Sequence, residues 1–385
     1  MATDPIPVFR VSGTHREVGR QIGEKMKPAM QQMMAWMRRE LPRGVIWGDM
    51  LRQGLLYLEH SRAVYPQYVE ELEGIAEGAE LPFEEVFLGV CEELWEPIVW
   101  KDYLSDNEGS PRSSAHGGTG QWLRGSPKTL KGCTDFAARG KATVDGSTLL
   151  AHTNDLSPAV EQDLVIFRVC AGDEPEFLGV SPGGLAYSAG FNAAGIGLTG
   201  NEVSCNDIRP GVPRLLIVRA ILAARRLEEA MNACLLPQRA SNYNNLISDA
   251  QGEVYCMEGS ATDCEPIYIE DDILAHANHY VSPAMRRFEA DRNGNGGSVI
   301  RYHRAMRLLR ENYGQLSPER FRGLLADHVN YPGSICKHGV ESATVFSLIL
   351  NLNERRAWIG RGRPCQTTYV EHVLEPWTLP VDWPR

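Results

Sequence analysis

The sequence predicts an α+β fold in which a helical N-terminal segment precedes a strand-rich second half. Three observations carry this expectation. Apolar residues recur at helical spacing up to about residue 100, a Ser/Gly/Pro-rich stretch without apolar period fills roughly 101–131, and short apolar segments broken by Gly, Pro or Asn follow from Cys133. The strands come in runs with helices grouped between them. That order points to sheets stacked under helical layers rather than to an alternating parallel sheet.

In the first zone, Thr14-His15-Arg16-Glu17 has the form of a capping box, and the helix it starts carries Val18, Ile22, Met26, Met30, Met33 and Met34 about one face. Further helices are expected through Leu51, Leu55, Leu56 and Leu58, through Tyr68, Leu72, Ile75 and Ala76, and after Pro82 with Val86, Phe87 and Val90. No strand is expected among them. The segment 101–131 reads as an exposed, mobile connector. Beyond Cys133, strands are expected over 147–154, 164–170, 176–181, 185–191, 195–200, 244–248, 253–258, 343–352 and 355–360, and helices over 214–235 and 299–310. The natural division is therefore 1–132 and 133–385.

Composition narrows the partners. Thirty-nine basic against 49 acidic side chains give a formal charge of −10, and no Lys/Arg-rich run forms a basic patch, so nucleic acid is not an expected partner. The opening MATDPIPVFRVSG lacks the basic start and apolar stretch of a signal peptide, and no segment approaches the roughly 20 apolar residues of a bilayer span. The expectation is a cytoplasmic protein without a membrane partner. Nine cysteines, odd in number and without a C-x-x-C pair, fit free thiols in a reducing compartment.

Cys133 stands out by position. It lies where the polar connector meets the first strand of the β-rich half, so a cut just before it would free an α-amine anchored in a rigid sheet. Such an amine has an ordinary pKa of about 7.7–8.0 and can serve as the base for its own side-chain thiol. Gly132, without a Cβ, suits the strained backbone that would let the thiol reach the preceding carbonyl.

Several segments in order carry a family resemblance: Gly13-Thr14-His15-Arg16-Glu17-Val18-Gly19-Arg20-Gln21-Ile22-Gly23, Glu71-Leu72-Glu73-Gly74-Ile75-Ala76-Glu77-Gly78, and Gly132-Cys133-Thr134. They continue with Asn192-Ala193-Ala194-Gly195-Ile196-Gly197, Asn244-Asn245-Leu246-Ile247-Ser248-Asp249, Asn278-His279-Tyr280 and Ser298-Val299-Ile300-Arg301. Over nearly its whole length the chain resembles the acyl-coenzyme A:6-aminopenicillanic acid acyltransferase-like family of the N-terminal nucleophile hydrolases. The resemblance implies a four-layer αββα sandwich, made as a precursor that cuts itself into a smaller α chain and a larger β chain that stay together as a heterodimer, with a higher oligomer left open.

By the same resemblance, Cys133 is nucleophile and, with Gly132, the cleavage site; Asp155 holds the new α-amine; Asn244 offers its amide to the oxyanion; and Arg301 braces the site or touches the substrate. Family members usually carry an Asn two residues before the Asp, whereas this chain reads His152-Thr153-Asn154-Asp155. His152 is thereby a candidate substrate contact or proton shuttle, against the commoner role of a histidine filling a strand position. The substrate implied is a small amide or thioester, and no metal or cofactor is expected. Hydrolysis of an amide is preferred, because acyl-CoA would need a phosphate site that no segment supplies. Acyl transfer to an amine is the alternative, and a processing-defective, non-catalytic binding relative is the alternative of another class.

Two rival motifs are weaker. Gly179-Val180-Ser181-Pro182-Gly183 fits a serine nucleophile elbow, but the residue that would donate a backbone N–H to the oxyanion is Pro182, which has none. His276-Ala277-Asn278-His279 with His303 or Asp249 could bind a metal, yet its first two histidines are three apart with no Glu between.

Overall fold

The computed structural model describes residues 4–100, 132–290 and 295–377. The connector expected over 101–131 lies outside the described residues. The chain opens with a strand that apolar spacing does not reveal: in β1 (Val8–Gly13) Val11 alone is buried, and its partner is the later strand β4 (Leu164–Ala171), paired in parallel from Val8↔Ile166 to Gly13↔Ala171. Thr14 then caps α1 (His15–Met37) as expected. Its hydroxyl accepts from the Glu17 N–H at 3.3 Å, and Glu17 Oε2 accepts from the Thr14 N–H at 2.8 Å.

Helices α2 (Trp47–Val64), α3 (Pro66–Ala79) and α4 (Phe83–Val90) complete the first zone. The glycines of the two quoted segments explain how α1 meets α3. A Cβ on Gly19 would lie 1.9 Å from the Glu71 carbonyl oxygen, and one on Gly74 would lie 2.1 Å from that of Arg16. Gly23 and Gly78 repeat the arrangement one turn on, so the backbones touch and only glycine fits the crossing.

The second half supplies β2 (Gly132–Gly140), β3 (Gly146–Leu156), β4, β5 (Phe177–Pro182), β6 (Ala189–Asn192), β7 (Gly197–Asn201), β8 (Asn244–Ser248), β9 (Val254–Gly259), β10 (Cys264–Tyr268), β11 (Ile273–His276), β12 (Ala343–Asn351), β13 (Arg356–Arg361) and β14 (Tyr369–Val373). They form an eight-stranded sheet ordered β1-β4-β5-β6-β7-β8-β9-β10 and a six-stranded sheet ordered β11-β2-β3-β12-β13-β14. Helices α5 (Arg214–Leu222), α6 (Leu227–Cys234), α7 (Gly296–Glu311) and α8 (Pro318–Leu325) lie between strands in the chain.

Three apolar layers order the stack. Val165, Phe167, Leu198 and Ile247 of the larger sheet pack with α1 to α5. Leu178, Val180, Phe191 and Leu246 meet Leu150, Leu348 and Leu350 between the sheets. Phe136, Leu149, Ala151 and Ile349 pack with Ala305, Leu308 and Phe321 of α7 and α8. The result is a four-layer αββα sandwich, with the N-terminal segment supplying both a strand and most of one helical layer. Among the described residues no helix is long and apolar enough to cross a membrane.

The single helix expected over 214–235 is two. Asn192 Nδ2 donates to the carbonyls of Leu222 at 3.0 Å and Ala224 at 2.7 Å, capturing acceptors that a continuous helix would use internally. A buried ion cluster fastens α5 to α3: Arg219 donates to Glu71 at 2.8 and 3.0 Å and to Glu174 at 2.9 Å, and its guanidinium lies 4.5 Å from the centre of the Tyr68 ring. Despite burial, Arg219 and His15 hold the Glu71 carboxyl below its usual range.

Substituting Gly74→Ala should lower unfolding stability by at least about 1–3 kcal/mol through forced separation of α1 and α3. Gly323→Ala, on an exposed face of α8 with nothing within 4 Å of the added carbon, should be neutral or stabilising by about 0.4–1 kcal/mol. Denaturant titrations of both variants check the contrast, and equal midpoints would refute the backbone-contact account.

Candidate active site

The β2–β3 ladder sets Gly132 opposite Asp155 and Cys133 opposite Asn154. Successive strand side chains point to opposite faces. Cys133, Asp135 and Ala137 therefore share the face toward the larger sheet, while Thr134 and Phe136 face α7. The Cys133 thiol is buried, and burial together with Asp155 and Asp135 pushes it up to about 12.

Around the Gly132–Cys133 junction the polar groups are closely spaced. The Cys133 N–H donates to Asn278 Oδ1 at 2.9 Å, and the same oxygen accepts from Arg301 Nη2 at 2.8 Å. Arg301, buried on the first turns of α7, also donates from Nη1 to Thr134 Oγ1 at 3.0 Å and to the Cys133 carbonyl. Asn278 is held in turn by its own N–H on Ser298 Oγ at 2.7 Å and by Nδ2 donating to the Glu202 carbonyl at 3.0 Å.

Asp155 is fully buried. Thr344 Oγ1 of β12 donates to its Oδ1 at 2.7 Å, whereas Oδ2 has no hydrogen-bond partner among the described residues. Burial raises its pKa, and the positive charges of Lys337 and Arg301 pull it back down. That orphan oxygen would lie 2.8 Å from a Cβ on Gly132, and Arg301 Nη2 would lie 3.1 Å from it. The need for glycine at 132 is thus different from the one expected. Gly132 does not adopt the left-handed conformation; its missing side chain leaves room for the carboxylate and guanidinium that close on it.

A buried polar layer continues along the inter-sheet face. His152 Nδ1 pairs with Asp135 Oδ1 at 2.6 Å, and Asn154 Nδ2 lies 3.3 Å from His152 Nε2. His152 is fully buried with both ring nitrogens engaged, an arrangement that holds the strand side chains rather than presenting the ring to a ligand. Asn244 Nδ2 donates to Asn201 Oδ1 at 3.1 Å, and its Oδ1 accepts from the Cys256 thiol at 2.8 Å. Asn244 therefore lies in the layer facing β2 without hydrogen-bonding the Cys133 thiol.

The structure brings Cys133, Gly132, Asp155 and Arg301 together. It adds Asn278 and Thr344, which spacing alone does not single out, although Asn278 belongs to a segment that carried the family resemblance. The rival motifs do not assemble. Ser181 donates to the Ala186 carbonyl, in a strand followed by a turn rather than a helix. His276 is taken up by Asn201 at 2.9 Å and Glu258 at 2.6 Å, and His279 by Ser298 at 2.7 Å.

The chain is 24% identical over 309 residues to the 40 kDa form of acyl-coenzyme A:6-aminopenicillanic-acid-acyltransferase from Emericella nidulans, covering 78% of this chain and 76% of that one. It is 26% identical over 246 residues to a beta-alanyl-dopamine/carcinine hydrolase from Drosophila melanogaster, covering 58% of this chain and spanning only 56% of that relative's length. Among solved structures it is similar to conjugated bile acid hydrolase from Clostridium perfringens, with a TM-score of 0.41, 12% identity and coverage of 65% and 100% of the two chains. Penicillin V acylase from Agrobacterium tumefaciens gives a TM-score of 0.37, 14% identity and coverage of 60% and 83%. A family model, acyl-coenzyme A:6-aminopenicillanic acid acyl-transferase, matches residues 142–366, which take in Asp155, Asn244 and Arg301 but begin after Cys133. With most of its length matched in this way, the chain belongs to the acyl-coenzyme A:6-aminopenicillanic acid acyl-transferase family.

Proposed function

We propose that the chain is a self-processing cysteine amidohydrolase, which cuts itself between Gly132 and Cys133 and then cleaves the C–N amide bond of a small N-acyl or aminoacyl compound. The observation that carries this reading is the buried Oδ2 of Asp155, which has no hydrogen-bond partner among the described residues and lies beside Gly132, the residue opposite Asp155 on the ladder and joined to the Cys133 nitrogen. An orphaned buried carboxylate oxygen is costly, and an α-ammonium released at Cys133 would satisfy it.

In the first stage the thiol sulfur of Cys133 bonds to the Gly132 carbonyl carbon as the peptide C–N bond breaks, and the nitrogen takes the thiol proton. Water then hydrolyses the thioester, leaving a carboxylate on Gly132 and a free thiol and amine on Cys133. In the second stage the α-amine takes the thiol proton as the sulfur bonds to the substrate carbonyl carbon; the C–N bond then breaks and the leaving amine takes that proton, after which water hydrolyses the acyl-enzyme to the free acid and the thiol. Arg301 and Asn278 hold the backbone of Cys133 in place through both stages. The residues before the cut remain as a partner chain, because β1 and α1 to α4 are packed into the sandwich. An acceptor amine in place of water would make the reaction an acyl transfer, which the name of the Emericella nidulans relative favours as a second reading.

A mass spectrum of the denatured protein should show two species meeting at Gly132/Cys133, and Cys133→Ala should give one intact chain without amidase activity. An intact chain whose activity survives Cys133→Ala would sink the reading. Incubating the processed protein with an acyl-CoA and an amine separates the two outcomes, since only the transferase yields the new amide.

Asp155→Asn, measured on whatever fraction is processed, should lower kcat/KM by about 10²-fold or more. It should also shift the acidic limb of the pH profile. An anion beside the α-amine favours the protonated form and raises its pKa, so removing the charge should move the limb to lower pH by about one unit. An unmoved limb would show that Asp155 does not face the amine.

A further inference from the structure

Outside the candidate active site, two loops bring four metal-ligating side chains to one point. His328 follows α8, Cys336 and His338 precede β12, and Cys365 follows β13. Their ligand atoms all lie within 4.8 Å of one another. His338 Nε2 is 3.1 Å from His328 Nε2, 3.3 Å from Cys336 Sγ and 3.5 Å from Cys365 Sγ.

A neutral imidazole nitrogen donates one hydrogen bond or accepts one, so three partners converging on a single Nε2 do not make a hydrogen-bond network. A central ion accounts for the spacing. With Zn–N bonds of about 2.0–2.1 Å and Zn–S bonds of about 2.3 Å, the edges of a tetrahedral Cys₂His₂ site are about 3.3–3.8 Å long. The three distances fall in or just below that range.

We propose that His328, Cys336, His338 and Cys365 bind one Zn²⁺ ion as a closed structural site. Two thiolates and two imidazoles in a tetrahedral set suit zinc, whereas magnesium and calcium take oxygen ligands. Four protein ligands leave no open position for a substrate, which makes the ion a staple rather than a reagent.

The loops are built to present these side chains. The Cys336 N–H donates to the Asp327 carbonyl at 3.0 Å, the His338 N–H to the Pro332 carbonyl at 2.9 Å, and Ser334 Oγ to the Cys336 carbonyl at 2.6 Å. Asp327 is itself paired with Arg304 of α7 at 2.6 and 3.0 Å. The spacing His-x₇-Cys-x-His followed much later by a Cys matches no common zinc pattern, which is why the sequence gives no warning of it.

The staple also reaches the candidate active site. Lys337, between two of the ligands, donates its backbone N–H to Thr344 Oγ1 at 2.9 Å, and the Thr344 N–H donates to the Lys337 carbonyl at 3.2 Å. Thr344 Oγ1 is the donor that orients Asp155. An ion holding Cys336 and His338 thus fixes the backbone that positions the candidate carboxylate. This last link rests on the proposed function; the metal site does not.

Full-length protein, grown with zinc and purified through a tag without metal affinity, should carry about one zinc ion per chain by plasma mass spectrometry. The double variant Cys336→Ser/His338→Gln should carry less than about a tenth of that. Because this variant could fail to fold, the unaltered protein supplies a second measurement. Alkylation of Cys336 and Cys365 should accelerate at least about tenfold on chelation, with half-buried Cys170 labelled equally before and after. A metal-free protein after zinc exposure, zinc retained by the double variant, alkylation unaffected by chelation, or a Cys336–Cys365 disulfide in freshly isolated protein would each overturn the site. Mass spectra of the same samples report self-cleavage separately, so a zinc-loaded but uncut chain would overturn the proposed function and leave the metal site standing.

Discussion

The pairing of β2 with β3 puts Gly132 opposite Asp155 and Cys133 opposite Asn154, and strand alternation sends neighbouring side chains to opposite faces. A slip of one residue would turn the thiol toward α7 and the carboxylate into the inter-sheet layer. Apolar residues further along the same strands hold the register. Phe136 and Ala138 fill the helical side, and Ala137 and Leu150 fill the gap between sheets. The neighbours follow from sheet order: β12 lies beside β3 and supplies Thr344 opposite Asp155, while β11 lies beside β2 and leads directly to Asn278. Arg301 then reaches the junction from the helix that covers this sheet.

The residues before the connector belong to the same sandwich. β1 adds a strand to the larger sheet, and α1 and α3 touch through glycines beneath it. Arg219 of α5 bridges Glu71 of α3 and Glu174 in the β4–β5 turn, so charge pairing in a buried setting fastens the first half of the chain to the second. Breaking one peptide bond at residue 132 would remove none of these contacts. The loss would fall on chain connectivity alone, and the apolar layer from Val11 to Met257 would still hold the pieces together.

Much of this was legible because it depends on local pattern. The Thr14 box, the methionine face of α1 and the main strands of both sheets follow from period and punctuation. Several of the misses have a physical cause. β1, β10 and β14 are edge strands with little buried surface, so their sequences carry no alternation, and β11 is only four residues long. The break between α5 and α6 is imposed by Asn192, some thirty residues away, and no local rule can see it. At the candidate site, Cys133 was legible from its place between connector and strand, and Asp155 and Arg301 from the family pattern. Thr344 and the Cys₂His₂ group depend on which loops meet in space, which a single sequence does not record.

Burial has opposite consequences for the thiol on the two sides of the proposed cut. In the unbroken chain the Cys133 nitrogen is an amide that donates to Asn278 and cannot act as a base. The surroundings push the thiol up to about 12, with both nearby carboxylates opposing a second negative charge. A persistent thiolate is therefore disfavoured, and the proposed self-cleavage would need the proton to move as the sulfur attacks. Were the amide to become an amine, a base with an ordinary pKa of about 7.7–8.0 would stand on the same residue as the thiol. The Oδ2 oxygen of Asp155 would then have a cation to meet, and the new ammonium would lower the energy of the thiolate that the two carboxylates oppose. The same buried setting that disfavours a thiolate in the intact chain would thus strengthen the amine–carboxylate pair after the proposed cut, because charges interact more strongly where water is excluded.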